Sequence, residues 1–449
     1  MKVNIKSIFP FIIFLFIIIS IQVKSQKPVY CFSTPEGFGA NVTGGGKATP
    51  VIVSTYNDLK TQLQSSGSKV ILVSGTIAIP SGGEITGTIT NKTLLGLPGA
   101  HLVNTNQTAT TSGILYLGSG SDNVIIRNIL FEGPGAYDVD GNDNLSCMAT
   151  NFWIDHCEFQ DGMDGNCDIT KTANFGTVSW CKFTYLKPPK AGGSGGSNDH
   201  RFSGLVGSSG TSFPASGHYQ ITFQCNYWAS GCVERMPRAR NADLHILNCY
   251  YNTAGTGNYA IGVGGGVNNS TVYVEGSDFA NVATVFRSFD TTDGGSESVT
   301  FTNCLKGVAN VGSAVSKPAY TYTVFPVEDV ASTVGNTSYG AGANLQVTEA
   351  GVISSAYQST GTDYMIEDSD IKIFPTVADK NLYISNKKND WSKTEIKICS
   401  LNGQKVFTTS QNLNSNEIVE LNLDYLPGGI YFCSINSSDK ITTFRFIKK

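Results

Sequence analysis

The sequence predicts an all-β protein, a right-handed parallel β-helix followed by a small C-terminal β-sandwich, on three observations. Charged residues make up only 15% of the 449 positions while glycine is abundant at 49, a balance that favours strands and turns over amphipathic helices. Short β-branched phrases ending in cysteine or a small polar residue recur at intervals in the twenties. After about residue 365 the pattern changes to alternating strands separated by Asn, Asp and Gly turns.

The N-terminus carries Lys2 and Lys6, an apolar run from Ser7 to Ser20, and then Val23-Lys24-Ser25. This is the layout of a secretory signal over residues 1–25, cut near Ser25. A retained anchor is the alternative; the run is short for a spanning helix and no second candidate follows, so no stable membrane span is expected. Composition excludes a disordered or collagen-like polymer and a small disulfide scaffold. A net charge of −4 and a pI near 5.8 give no whole-chain reason to bind nucleic acid or an anionic membrane. An acidic ligand therefore needs a local basic patch or a bound cation.

The recurring phrases are WIDHCEF, VSWCKF, ITFQCNYW, LHILNCYY and VTFTNCLK, which place Cys157, Cys181, Cys225, Cys249 and Cys304 at one apparent position. Successive spacings are 24, 44, 24 and 55 residues; VYVEGSDF, with Ser277 in the cysteine place, divides the last, and Asn128 in VIIRNILF extends the series upstream. One strand and one turn per repeat suit coils stacked at roughly 4.8 Å, none of which can bury its own face alone. The cysteines read as buried small residues rather than metal or redox groups, since the series has no CxxC. The 44-residue step marks one coil with an insertion, AGGSGGSNDHRFSG between Lys190 and Leu205, expected to be a flexible excursion on one face. The β-helix is assigned 26–365 and the sandwich 366–449.

Three acids stand out against the low charge density: Asp143 in GNDNLS, and Asp164 and Asp168 in DGMDGNCDI. Residues of equal phase on neighbouring coils lie side by side, so these carboxylates can converge on one hard cation, Ca²⁺ rather than Zn²⁺. The alternative is a run of turn-forming residues, to which Asp138, Asp140 and Asp161 also belong. A second cluster, Arg235-Met-Pro-Arg238-Ala-Arg240, has only Glu234 as a close acid. Paired hydrogen bonds suit arginine to carboxylates, so a polyanion cleft stands beside an inert surface patch.

NFWIDHCEF, DGNCDI, VSWCKF and ITFQCNYWASGCVERMPRARNADLHILNCYYN together resemble the pectate lyase superfamily, polysaccharide lyase family 1, over about Gly37 to Leu305. The resemblance implies a right-handed parallel β-helix that cleaves polygalacturonate by Ca²⁺-assisted β-elimination, probed by a product with new near-ultraviolet absorbance. It implies Asp143, Asp164 and Asp168 as Ca²⁺ ligands, Arg235 as the base, and Arg240 with Arg238 as binders of substrate carboxylate. The cleft lysine falls on Lys187 by counting from Ser179, with Lys190 and Arg201 as rivals because the insertion follows it. Trp153, Asp155 and His156 read as structural. Guanidinium ordinarily stays protonated, so its use as a base asks for cationic surroundings. A polygalacturonan hydrolase, a non-catalytic adhesin and a lyase for methyl-esterified pectin are the competing readings.

The segment from Ile371 to Lys449, with IKIFP, LNGQKV, LPGGIYF and a basic last strand, resembles the C-terminal sorting domain of the type IX secretion system. A carbohydrate-binding sandwich is the alternative, short of aromatics beyond Trp391. The resemblance implies export, the secretion machinery as a partner, and a secreted or surface-held monomer acting on acidic polysaccharide. Cys399 and Cys433 are left open as a disulfide, which geometry must decide.

Overall fold

The computed structural model describes residues 34–354, 371–375, 377–386, 391–400, 404–415, 417–436 and 441–449. The proposed signal segment and the side chain of Trp391 lie outside the described residues. The described chain forms two compact units, divided between Tyr357 and Gln358. Among the described residues no helix is long and apolar enough to cross a membrane.

The first unit is a parallel β-solenoid. Coils contribute a strand of four to seven residues, most often six, to a ten-stranded sheet, and eight of them then add a short strand to each of two eight-stranded sheets. The coil Thr150–Asp155, Glu158–Gln160, Cys167–Ile169 is typical. Neighbouring coils pair in register, so side chains of equal phase stack: Phe159 faces Phe131 and Phe183, and Phe183 faces Trp228. Ring centroids along Phe131, Phe159, Phe183, Trp228, Tyr251 and Phe279 stand 4.6 to 5.3 Å apart. Such stacking adds about 0.5–1.5 kcal/mol per pair beyond burial.

The turn between the long strand and the next short one explains the recurring phrases and corrects the sequence reading at two positions. Register pairs Lys182 with Tyr227, so Asn226, not Cys225, stands opposite Cys181 and donates its role to that ladder: its Oδ1 accepts from Cys181 N at 2.9 Å. Cys225 instead belongs one position earlier, with Asn128, His156, Trp180 and Asn248. All five have positive φ, between 46° and 59°. Asparagine enters the left-handed region most readily, which is why it recurs there. Asn128 is therefore a turn residue and not part of the cysteine series. Cys157, Cys181 and Cys249 are buried, their thiols donating to the preceding coil at Ile126 O, Ile154 O and Phe223 O. Burial pushes the Cys249 thiol up to about 12, an inert packing group rather than a ligand.

The insertion is also corrected. Rather than a free excursion, it is pinned to a turn two coils before it: Lys190 N donates to Ala136 O, Gly195 N to Asp138 O and Ser197 N to Asp138 Oδ2. Its end pairs with the coil after it, Ser203 N to Glu234 O and Gly204 N to Arg235 O. The extra length is shared by two turns, one before Leu205–Val206 and one between it and Tyr219–Gln224.

The second unit has a three-stranded antiparallel sheet, Ile371–Phe374, Asn381–Asn386 and Ile418–Asn422, and a five-stranded one. Alternating Ile371, Ile373, Leu382, Ile384, Ile396, Ile398, Cys433 and Ile435 fill a core between them. Cys433 is opposite Ile398, whereas Cys399 is opposite Phe432. Successive strand residues point to opposite faces, so the two thiols are on opposite sides of the sheet and both are free.

Candidate active site

One eight-stranded sheet and its turns carry the charged cluster. Asp168 sits in the strand Cys167–Ile169, opposite Ser146 of the previous coil, whose hydroxyl donates to Asp143 Oδ2 at 2.8 Å. Asp168 Oδ1 accepts from Leu205 N at 2.9 Å. Asp143 Oδ1 is buried and has no hydrogen-bond partner among the described residues. Between the two carboxylates lies Gly165: a Cβ there would come 2.7 Å from Asp143 Oδ1 and 3.2 Å from Asp168 Oδ1. An orphaned carboxylate oxygen, a second one converging on the same space and a glycine that leaves it open fit a hard divalent cation.

The electrostatics agree. Burial, then the charges of Asp168 and Asp164, drive Asp143 well above the ordinary carboxylate range. Burial likewise raises Asp168 to about 6, against the opposing pull of Arg235. Two buried acids held so close are strained as anions until a cation joins them.

Asp164 is placed differently from the other two. Its Oδ1 is 3.0 Å from His200 Nε2, and His200 Nδ1 is 3.2 Å from Asp138 Oδ1. The insertion thus delivers an imidazole between two acids. Asp164 remains in the electrostatic field of Asp143 and Asp168. Asp138 is buried at this bridge, Asp140 is exposed, and Asp161 Oδ1 caps the amides of Leu186 and Lys187.

Arg235 follows Glu234 with φ of 60°, a backbone conformation costing an arginine about 1 kcal/mol or more. Its guanidinium lies 4.7 Å from the ring centre of Phe202, again from the insertion. Arg240 is buried, with Nη1 donating to Gly207 O at 2.9 Å and Nε 3.0 Å from Asp293 Oδ2. Arg238 also reaches Asp293, at 3.1 Å, and stacks 3.9 Å over Phe289. The arginines expected to lack acids therefore share one, brought from a distant coil. Lys187 Nζ donates to Glu132 at 2.8 Å and to Gly133 O at 2.7 Å. Of its rivals, Arg201 is doubly bonded to Asp199, and Lys190 lies 4.0 Å over Tyr137.

The WIDHC phrase holds the stack together. Buried Asp155 accepts from Arg127 Nε at 2.8 Å and from Ser179 Oγ at 2.6 Å, with His156 Nδ1 at 2.7 Å. Trp153 Nε1 donates to the same Ser179 hydroxyl. Burial opposes the Asp155 charge, but His156 and Arg127 outweigh it and hold the carboxyl below its usual value.

His200, Phe202, Gly165 and Asp293 are the site residues the sequence reading missed. His200 is one of only five histidines and lies in the insertion, a usable signal; Asp293 carried none.

Fold and cluster together define a parallel β-solenoid with a charged site of paired acids and arginines on one sheet. The chain belongs to the pectate lyase family, which it matches over residues 12–344. Residues 372–449 match the secretion system C-terminal sorting domain, a type IX export signal. The chain is 34% identical over 236 residues to a pectate trisaccharide-lyase of Thermotoga sp. (strain RQ2), covering 51% of this chain and 58% of that protein. It is 30% identical over 242 residues to pectate lyase plyB of Emericella nidulans, covering 52% and 64%. It thus spans less than two thirds of the length of these relatives. In fold it resembles pectate lyase II of Xanthomonas campestris (TM-score 0.52, 21% identity, 69% of this chain and 99% of that one). It also resembles the pectate lyase pelN of Paenibacillus sp. 0602 (TM-score 0.54, 18% identity, 71% and 97%).

Proposed function

We propose that the protein is a secreted pectate lyase, cleaving α-1,4-linked polygalacturonate by Ca²⁺-assisted β-elimination to unsaturated oligogalacturonates. The observation that carries this reading is the convergence of Asp143 Oδ1 and Asp168 Oδ1 on the space beside Gly165, in the field of Arg235. Family membership supports it.

Asp143, Asp164 and Asp168 would hold calcium, which when bound neutralises the substrate carboxylate and so acidifies the neighbouring C5 proton. Arg235, in its neutral form, accepts that proton; the electron pair forms the C4–C5 double bond, the C4–O bond breaks, and the leaving oxygen takes up a proton from solvent. Arg240, Arg238 and Lys187 bind substrate carboxylates, and the Arg240 guanidinium is held for this by anchors on two other coils. Phe202 lies 4.7 Å from the Arg235 guanidinium, on one side of it. Residues 26–365 are the catalytic domain and 366–449 the sorting domain, with a signal peptide at 1–25, the type IX machinery as partner and a monomer as the working unit.

Hydrolysis would need one carboxyl on each side of the glycosidic bond. Asp164 and Asp168 are the pair that would have to serve, and both instead lie in the field of one acidic cluster with Asp143. The deciding experiment is product absorbance from polygalacturonate with Ca²⁺ and with a chelator. Calcium-dependent growth of near-ultraviolet absorbance is expected; new reducing ends without absorbance would establish the hydrolase, and no cleavage the adhesin.

A further inference from the structure

Asp293 lies 53 residues beyond Arg240, at the end of the short helix Asp290–Asp293, in a stretch that reads as solvated turn. Its carboxylate nevertheless is only 7% exposed. Oδ2 stands 3.0 Å from Arg240 Nε and 3.1 Å from Arg238 Nη2, and Oδ1 stands 3.2 Å from the same Arg238 nitrogen. The segment is drawn in by backbone bonds, Phe289 N to Val263 O at 2.7 Å and Asp293 N to Phe289 O at 2.8 Å. Two glycines make room: a Cβ on Gly264 would meet Asp293 Oδ2 at 2.5 Å, and one on Gly210 would meet Asp293 O at 2.2 Å. Phe289, on the same segment, lies under Arg238.

We propose that Asp293 is a positioning residue for substrate binding, orienting Arg240 toward a galacturonate carboxylate and leaving the Arg238–Arg240 pair one net positive charge instead of two. It rests on Arg240 being the carboxylate receptor assigned above. An arginine has five N–H donors in a rigid plane. With Nη1 donating to Gly207 O and Asp293 Oδ2 in an ion pair 3.0 Å from Nε, the guanidinium of Arg240 is held between two coils, and orienting it presents its remaining donors to a planar carboxylate. Without Asp293, the buried Arg240 and the half-buried Arg238 guanidiniums would repel each other and lose that common orientation. Burial and Arg238 already disfavour the charge on Arg240, and Asp293 offsets them.

The test is a double-mutant cycle with Asp293→Asn and Arg240→Ala in the full chain, read by calorimetric binding of trigalacturonate with Ca²⁺ and by kinetics on polygalacturonate. Asp293→Asn is expected to weaken binding and raise KM roughly tenfold with kcat within about twofold, since it removes a charged partner but no volume. In the Arg240→Ala background the same change should cost less than about twofold. Asp293→Glu, which retains the charge, should recover part of the loss and covers the case in which Asp293→Asn does not fold. Unchanged or tighter binding by Asp293→Asn, an equal loss in the Arg240→Ala background, or no recovery with Glu overturns the proposal. Wild-type protein that binds trigalacturonate without cleaving polygalacturonate sinks the lyase reading alone, because the binding cycle still decides Asp293. Failure of the wild type to bind overturns both.

Discussion

His200 Nε2 lies 3.0 Å from Asp164 Oδ1, so an imidazole from the insertion occupies one of the three carboxylates assigned to calcium. Imidazole and calcium would therefore draw on the same carboxylate. His200→Ala is expected to tighten calcium binding several-fold by calorimetry, because removing a competitor for Asp164 raises the apparent affinity by mass action. It should also make the 190–199 segment more sensitive to protease, since the bridge to Asp138 is lost with it. Weaker calcium binding would show that His200 holds Asp164 in place for the ion.

The raised acids predict an unusual pH dependence of stability without calcium. The folded value of Asp168, about 6, exceeds the unfolded value near 4, so between these pH values the folded state binds more protons than the unfolded one. Stability of the chelated protein should then fall as pH rises from about 4 to about 6 and level off above, with Asp143 acting in the same direction. Calcium should reverse the loss. Asp168→Asn should raise the melting temperature in chelator while abolishing the calcium-induced shift; a melting temperature below wild type in chelator would contradict the strain at this pair.

Arg235→Lys separates proton removal from substrate holding because it keeps the charge and changes reach and geometry. If Arg235 is the base, kcat should drop by about 100-fold or more with calcium binding preserved, and the pH optimum of kcat should move. A rise confined to KM, with the pH profile unmoved, would assign Arg235 to binding and shift attention to Lys187.

Each described unit has its own buried cluster, one running through the solenoid and one between the two C-terminal sheets. Truncation near residue 365 should therefore leave a purified protein of full specific activity that its host fails to export. Lost specific activity in the purified truncation would mean that the terminal unit contributes to substrate binding.

The coil architecture was legible in the sequence because a stacked coil repeats its phase, whereas Asp143, Asp168, Arg235 and Arg240 stood out only as charge clusters whose roles the family resemblance implied. Each strand must present the same face to the same neighbour, and the β-branched runs and turn asparagines carry that period openly. The exact ladder was less legible: Cys225 and Asn226 are adjacent, and only strand register shows that Asn226 continues the cysteine series. Where the period breaks, the sequence stops determining contacts. The insertion hid that His200 closes on Asp164 and Phe202 on Arg235, since a long loop can end beside several coils. Asp293 carried no sequence signal because its partners, Arg238 and Arg240, are two coils away. Sequence alone determined that coils stack with a repeating phase, while register settled which residue fills it at Cys225 and Asn226. The tertiary structure decided which charges neutralise each other, because ion pairing depends on distances across coils that no local pattern encodes.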